Sequence, residues 1–418
     1  MHTKPRVIVV GGGFGGLSAA HALRAAAVDV LLIDRDNHHT FQPLLYQVAT
    51  AGLAAPSIAA PLRHILRGQR NATVLLGEAR RIDIERKTVD VDGVSRPYDF
   101  LIVATGSTHA YFGHDEWAPY APGLKTLEDA FRIRARILTA FERAEATADP
   151  AEQMEWLTFP IVGAGATGVE LAGTLAEIAR HTLKREFRHI DPASARVLLI
   201  EAGPRVLPGF PPSLSAKAQR QLERLGVLVR TGRPVTGVDE RGVWIGEERI
   251  PARTVLWAAG VAASPLGATL GVALDRAGRV PVTAELTVAG HPEIFVVGDL
   301  AAVPDGTGPI PAIAPAAKQM GRYAAEAILA RLSGRRLDPF RYRHFGSLAT
   351  IGRRAAVVDF GRIRLSGSLA WWIWLTAHIY FLIGFRNRLV VLIDWAEAYW
   401  SYRRGARIII PVGEPSNR

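Results

Sequence analysis

Two stretches of this chain carry glycines at a spacing suited to one kind of chemistry, the holding of a pyrophosphate. The first is Gly11-Gly12-Gly13-Phe14-Gly15-Gly16, and the second is Gly163-Ala164-Gly165-Ala166-Thr167-Gly168. Both read G-x-G-x-x-G, through Gly11, Gly13 and Gly16 in one and Gly163, Gly165 and Gly168 in the other. The first glycine of such a set allows a tight turn, the second lets backbone approach a phosphate, and the third lets a helix pack close to a strand. A helix that starts there turns its free N–H groups and the positive end of its dipole toward the anion. One such match is weak. Two, each in the right surroundings, are strong.

The surroundings are right in both places. Val7-Ile8-Val9-Val10 reads as a buried strand before the first loop, and Leu17-Ser18-Ala19-Ala20 as the helix after it. Phe159-Pro160-Ile161-Val162 and Val169-Glu170-Leu171-Ala172 flank the second loop in the same way. Each unit continues into an apolar strand that ends in an acid, Asp34 at 23 residues after Gly11 and Glu201 at 38 residues after Gly163. The longer second spacing reads as an insertion over His181–Ser194. A carboxylate at such a strand end accepts hydrogen bonds from ribose hydroxyls and repels a 2′-phosphate, so Glu201 predicts a preference for NADH over NADPH. Farther on, His291–Asp299 reads as a third buried strand closed by Gly298-Asp299. Beside a cofactor crevice that acid suits a ribityl or ribose hydroxyl; alone it would read as a helix cap.

These strands and helices need more than one core to hold them. With 418 residues the chain exceeds a single ordinary core, and two or three domains are expected. The split of 49% hydrophobic and 21% charged residues is that of a globular protein. Cysteine is absent, which excludes disulfides, thiolate metal sites and a dithiol redox relay; no metal site is expected. Arg greatly outnumbers Lys, which reflects base composition. Thr126–Ala146 reads as an amphipathic helix with a capping box at Thr126 and Asp129. The division that follows places one dinucleotide-binding domain over 1–125 and 281–340, a second inserted over 155–280, and a C-terminal region over 341–418. The expected fold is α/β, with two Rossmann-like domains and a helical membrane-binding C-terminal region.

That last region is unlike the rest. Residues 341–418 hold twelve Arg, including Arg353, Arg354, Arg386, Arg388, Arg403, Arg404 and Arg407, against four acids, most of the chain's net charge of +11. Leu369–Phe385 is a 17-residue apolar stretch in which only Thr376 and His378 are clearly polar, and five of the nine Trp lie within 371–400. Seventeen residues sit at the bottom of the spanning range. A helix lying in the interface, with Trp at the headgroup level and Arg on anionic lipid, is the better expectation; a buried dimerisation helix is the alternative. Nucleic acid is not expected, since an apolar aromatic segment offers phosphates no partner. His378 reads as a polar point in this platform. The N-terminus carries no apolar leader, which predicts a protein that stays in the cytoplasm.

The chain resembles the two-dinucleotide-binding flavoproteins, and closely the type II NADH dehydrogenases. The resemblance rests on His39-Thr40-Phe41-Gln42-Pro43-Leu44-Leu45-Tyr46-Gln47-Val48-Ala49, Ala104-Thr105-Gly106-Ser107, Gly165–Gly173, Trp257-Ala258-Ala259-Gly260-Val261, Val297-Gly298-Asp299 and Gly384-Phe385-Arg386-Asn387-Arg388-Leu389. It implies that the first glycine loop with Phe14 and Gly15, together with Asp34 and Asp299, holds FAD. The second loop with Thr167, together with Glu201, would hold NADH. Arg35, Thr105, Gly106, Gly260, Gly298 and Ala316 complete the cofactor-binding set. Gln47 is implied near the flavin ring, and Glu170 is implied as an acid linked to electron transfer. The family's Ala-Gln-x-Ala-x-Gln reads Ala314-Pro315-Ala316-Ala317-Lys318-Gln319 here. Pro315 replaces the first Gln, so quinone contacts rest on Gln319 and backbone.

The expected activity is electron transfer from NADH through FAD to a membrane quinone, ubiquinone or menaquinone, without proton pumping. The protein is expected as a peripheral homodimer on the cytoplasmic face of the inner membrane. Sulfide:quinone oxidoreductases share the expected fold but need redox cysteines, which this chain lacks. An NADH reductase of another acceptor, or a flavin-binding signalling or scaffold protein, are the alternatives.

Overall fold

The computed structural model describes residues 4–304, 310–401 and 405–410. Arg403, Arg404 and the final residues counted in the cationic tail lie outside the described residues. The chain divides into two compact units, one of residues 1–39, 60–108 and 261–345, the other of 40–59, 109–260 and 346–418. This grouping differs from the division read from motifs: 40–59 and 109–125 join the second glycine loop, and 261–280 joins the first. The C-terminal residues from 346 onward also group with the second loop.

In the first unit, a six-stranded sheet runs Thr287–Val288, His291–Val296, Phe100–Val103, Arg6–Val10, Asp29–Asp34, Ala72–Leu76. All neighbours are parallel except the Thr287–Val288 edge. Val7–Val10 is buried along its whole length, which is why it is an unbroken apolar run rather than an alternating one. Register pairs Val10 with both Ile33 and Val103, so Gly11, Asp34 and Ala104 emerge at one edge. The Phe14–Ala22 helix starts there and packs on the Ala314–Leu332 helix. A Cβ on Gly321 would lie 2.0 Å from the Gly15 carbonyl oxygen, so the close approach of these helices requires that glycine.

The second unit repeats the plan. Its parallel sheet runs Leu228–Thr231, Arg196–Glu201, Thr158–Val162, Leu256–Trp257, with the Ala166–Glu177 helix following the second loop. Thr126 caps the Leu127–Ala146 helix, and Asp129 returns the bond to the Thr126 amide, as the sequence predicts. The C-terminal residues form an antiparallel sheet of Ser347–Gly352, Ala355–Asp359 and Arg364–Ser366, and two helices. This sheet meets the Ala166–Glu177 helix so closely that a Cβ on Gly173 would lie 1.6 Å from the Ile351 oxygen.

One expectation is corrected here. The 17-residue apolar stretch is not one helix. A helix spans Ser368–Phe381, the chain leaves it at Leu382, Gly384 takes a left-handed φ of 85°, and a second helix covers Phe385–Ser401. Leu382 ends the first helix in an extended conformation, and Gly384 takes its left-handed φ freely because it has no Cβ to clash. Among the described residues, no helix is long and apolar enough to cross a membrane.

Candidate functional site

The first loop is built as a cradle. Gly11 has φ 103°, and a Cβ on Gly16 would meet the Gly11 oxygen at 1.8 Å, so the turn and the helix contact both exclude side chains. Gly13, by contrast, has open space where a Cβ would be. That gap lets a ligand reach the backbone N–H groups of the helix start. Asp34 accepts hydrogen bonds from the amides of Gly12 and Asp36 (2.8 Å). Burial raises its pKa while those two amides oppose the shift. Arg35 is exposed beside it.

Other groups of this unit surround the same loop. His39 is buried and its Nδ1–H donates to the Gly12 carbonyl at 2.9 Å, leaving Nε2 as an acceptor. Burial pushes the ring pKa down to about 4, so it is neutral. Lys318 sits 5.1 Å over the Phe14 ring, and burial lowers its pKa. His39 Nε2 and Thr105 Oγ1 are buried with no hydrogen-bond partner among the described residues. Buried orphans of this kind are costly unless a ligand satisfies them. Gly106 takes φ 67° in the turn after Phe100–Val103. Asp299 accepts from the Ser107 hydroxyl at 2.6 Å, and Gly298, Asp299 and Ala316 line one pocket with Ala317 and Met320. An open cradle, a strand-end carboxylate and two orphaned polar atoms fit FAD.

The second cradle repeats the glycine geometry of the first. Gly163 has φ 98°, a Cβ on Gly168 would lie 1.8 Å from the Gly163 oxygen, and Gly165 faces open space. Thr167 is half-buried in the first turn of the helix. Glu201 accepts from Ala164 N–H at 2.7 Å and Gly203 N–H at 2.8 Å. These are the amides one residue after the first glycine and two after the acid, the same pair that Asp34 takes. The likeness extends to the Ala-x-Gly turns at 104–106 and 258–260. Ala104-Thr105-Gly106 lies against Gly11 and Ala258-Ala259-Gly260 against Gly163, with Gly106 at φ 67° and Gly260 at φ 79°.

Glu170 is 9% exposed in the helix after the second loop. Burial raises its pKa well above the usual carboxylate value, opposed by a hydrogen bond with the Thr350 backbone. Gln47, on the Leu45–Ala49 helix of the same unit, has both ends of its amide engaged. It donates to Tyr46 Oη at 2.9 Å and accepts from the Trp395 indole N–H at 2.7 Å. Gln319, in the first unit, donates to the Arg343 carbonyl (2.9 Å) and accepts from its amide (3.0 Å). Thr350, Trp395 and Arg343 carry no sequence signal for these roles.

The aromatic tail has two faces. Trp374 is 2% exposed and stacks on His378 at 4.2 Å and near Trp395 at 5.3 Å, while His378 Nδ1 donates to the Trp374 carbonyl at 2.7 Å. Leu369, Trp372, Tyr380, Phe381, Leu392 and Ile393 lie open instead. Trp374 therefore packs inward, whereas Trp372 lies open.

Two matching glycine cradles, each with a carboxylate at the end of the next strand, sit in an α/β fold with two Rossmann-like modules. Residues 5–321 match the family described as pyridine nucleotide-disulphide oxidoreductase, and 344–403 match the NDH2 C-terminal domain. The chain is 47% identical to the type II NADH:quinone oxidoreductase NdhA of Mycobacterium tuberculosis, over 97% of this chain and 89% of that protein. It is 46% identical to Ndh of the same organism, over 96% and 89%. NDH2 from Plasmodium falciparum, solved with NADH, shares the fold at a TM-score of 0.88 and 21% identity, covering 98% of this chain and 100% of that one. The chain belongs to the type II NADH:quinone oxidoreductase family.

Proposed function

We propose that this protein oxidises NADH and passes the electrons through bound FAD to a membrane quinone without pumping protons. The doubled cradle carries the reading: one chain holds two pyrophosphate loops whose acids take equivalent hydrogen bonds. The first loop, Asp34, Thr105, Gly106, Gly298, Asp299 and Ala316 hold FAD, with Arg35 at its exposed margin. The second loop, Thr167, Glu201 and Gly260 hold NADH. Bound FAD supplies the two-electron chemistry, and the protein orients the rings and excludes water. Glu170, buried beside the second loop with its pKa raised by burial, is the acid linked to electron transfer. Gln47, held by the Trp395 indole, and Gln319, held by the Arg343 backbone, each contribute to electron transfer. With no cysteine in the chain, dithiol and persulfide chemistry have no nucleophile here.

The protein binds the cytoplasmic face of the membrane peripherally, as a homodimer, through the exposed side of the C-terminal helices. Trp372, Tyr380, Phe381 and Ile393 supply apolar contact, and exposed Arg386 attracts anionic lipid. Heat-released flavin identified by mass spectrometry, then anaerobic NADH and quinone additions, test the chemistry. FAD, bleaching by NADH and reoxidation by quinone are expected; FMN, or a reduced flavin that quinone leaves unchanged, refutes it. Vesicle sedimentation tests the platform: Trp372→Ser with Tyr380→Ser should release the protein from anionic vesicles. Unchanged binding would favour the same face as a subunit contact, seen as loss of the dimer in the double variant.

A further inference from the structure

The structure points to one residue at the second cradle that no motif marks. We propose that the Phe112 ring is the contact surface for the nicotinamide half of NADH, and so a specificity-determining residue for the reaction. This rests on the reading of the second cradle as the NADH site.

The backbone is the first observation. His114 N–H bonds to the Tyr111 carbonyl at 3.0 Å, and the two residues between them have φ 55° (Phe112) and φ 90° (Gly113). Two left-handed central residues are the signature of a type I′ turn, in which Asn or Gly takes the first position. A bulky aromatic residue is a costly choice there. Burial does not compensate for it, because Phe112 is 69% exposed.

The second observation is what holds the turn in place. Tyr111 is buried and its hydroxyl donates to the Ala121 carbonyl at 2.8 Å. The Ala110 carbonyl accepts from the Trp257 indole at 3.0 Å, and the Tyr111 and Trp257 rings lie 5.0 Å apart. These contacts anchor the turn to the Leu256–Trp257 strand and set the Phe112 ring against Gly260. A Cβ on Gly260 would come 2.4 Å from Phe112 Cζ.

Topology then names the ligand. Glu201 ends the strand on one side of Thr158–Val162, and Leu256–Trp257 lies on the other. A dinucleotide with its adenosine ribose at Glu201 and its pyrophosphate on Gly163–Gly168 must extend its other half over Ala258–Gly260. Phe112 borders that half. A flat apolar ring offers a stacking face to nicotinamide, with added attraction for the oxidised, cationic form. It offers nothing to a ligand cut off at the terminal ribose.

Titration calorimetry of the FAD-loaded enzyme with NAD⁺ and with ADP-ribose tests this. Phe112→Ala should weaken NAD⁺ about tenfold and ADP-ribose less than about twofold. Phe112→Gly should show the same split while raising Tm by roughly 1–3 °C, because glycine relieves the left-handed strain. Equal losses for both ligands, or no loss of NAD⁺ affinity, overturn the proposal. Gly168→Ala separates failure of the cradle reading: if that variant keeps ADP-ribose, the second loop is not the dinucleotide site and the proposal falls with it.

Discussion

Gly168→Ala is the sharpest perturbation the geometry offers. The added Cβ would lie 1.8 Å from the Gly163 oxygen, where real Cβ contacts stop near 3.0 Å. Helix and loop must therefore part by about 1.2 Å or more at the loop proposed to hold the pyrophosphate. Such overpacking costs about 1–3 kcal/mol of stability. The displaced donors lose charge-assisted hydrogen bonds of roughly 1.5–3 kcal/mol each, so losing one or two weakens the nucleotide about 10²-fold. The variant should keep its FAD, read as absorbance per protein, and lose NAD⁺ affinity by calorimetry and kcat/KM for NADH. Gly16→Ala places a Cβ at the same 1.8 Å from Gly11 and should do the reverse, shedding FAD first. If Gly168→Ala loses FAD and keeps nucleotide affinity, the two cradles are assigned the wrong way round. If neither variant changes either ligand, the loops do not hold dinucleotides.

Three further outcomes are expected. Glu201→Gln removes the negative charge that opposes a 2′-phosphate and should narrow the NADH over NADPH preference about tenfold; equal kcat/KM for the two donors in the unaltered enzyme would remove the assigned role. His39 has its pKa lowered from 6.5 to about 4 by burial, so the unfolded ring protonates first and stability falls as pH drops through that window. The limit is about 3 kcal/mol, and acid unfolding of His39→Gln should lack that loss; identical pH profiles would contradict it. Thr126→Ala breaks the cap to Asp129 N–H (3.1 Å) and should cost about 1 kcal/mol in denaturant melts, with Thr126→Ser restoring most of it.

What the sequence determined by itself is local. Strand, glycine loop and helix are contiguous, and their geometry follows from backbone sterics over a few residues, so both cradles were legible at Gly11–Gly16 and Gly163–Gly168. The acids that end the next strands and the Thr126 capping box were legible for the same reason, each lying at a short, regular offset from a recognisable element. The apolar C-terminal stretch was legible as composition but not as shape. Gly384 divides it because the chain needs a left-handed residue there, and glycine alone does not announce a turn. Only the tertiary structure could bring Trp395 to Gln47, 348 residues away, or Thr350 to Glu170. The same holds for the burial that leaves His39 Nε2 without a partner among the described residues, and for the exposed ring of Phe112 in a strained turn beside Gly260. Hydrogen-bond partners and burial depend on which distant segments fold together. A pattern in one segment holds no information about the segment that will cover it.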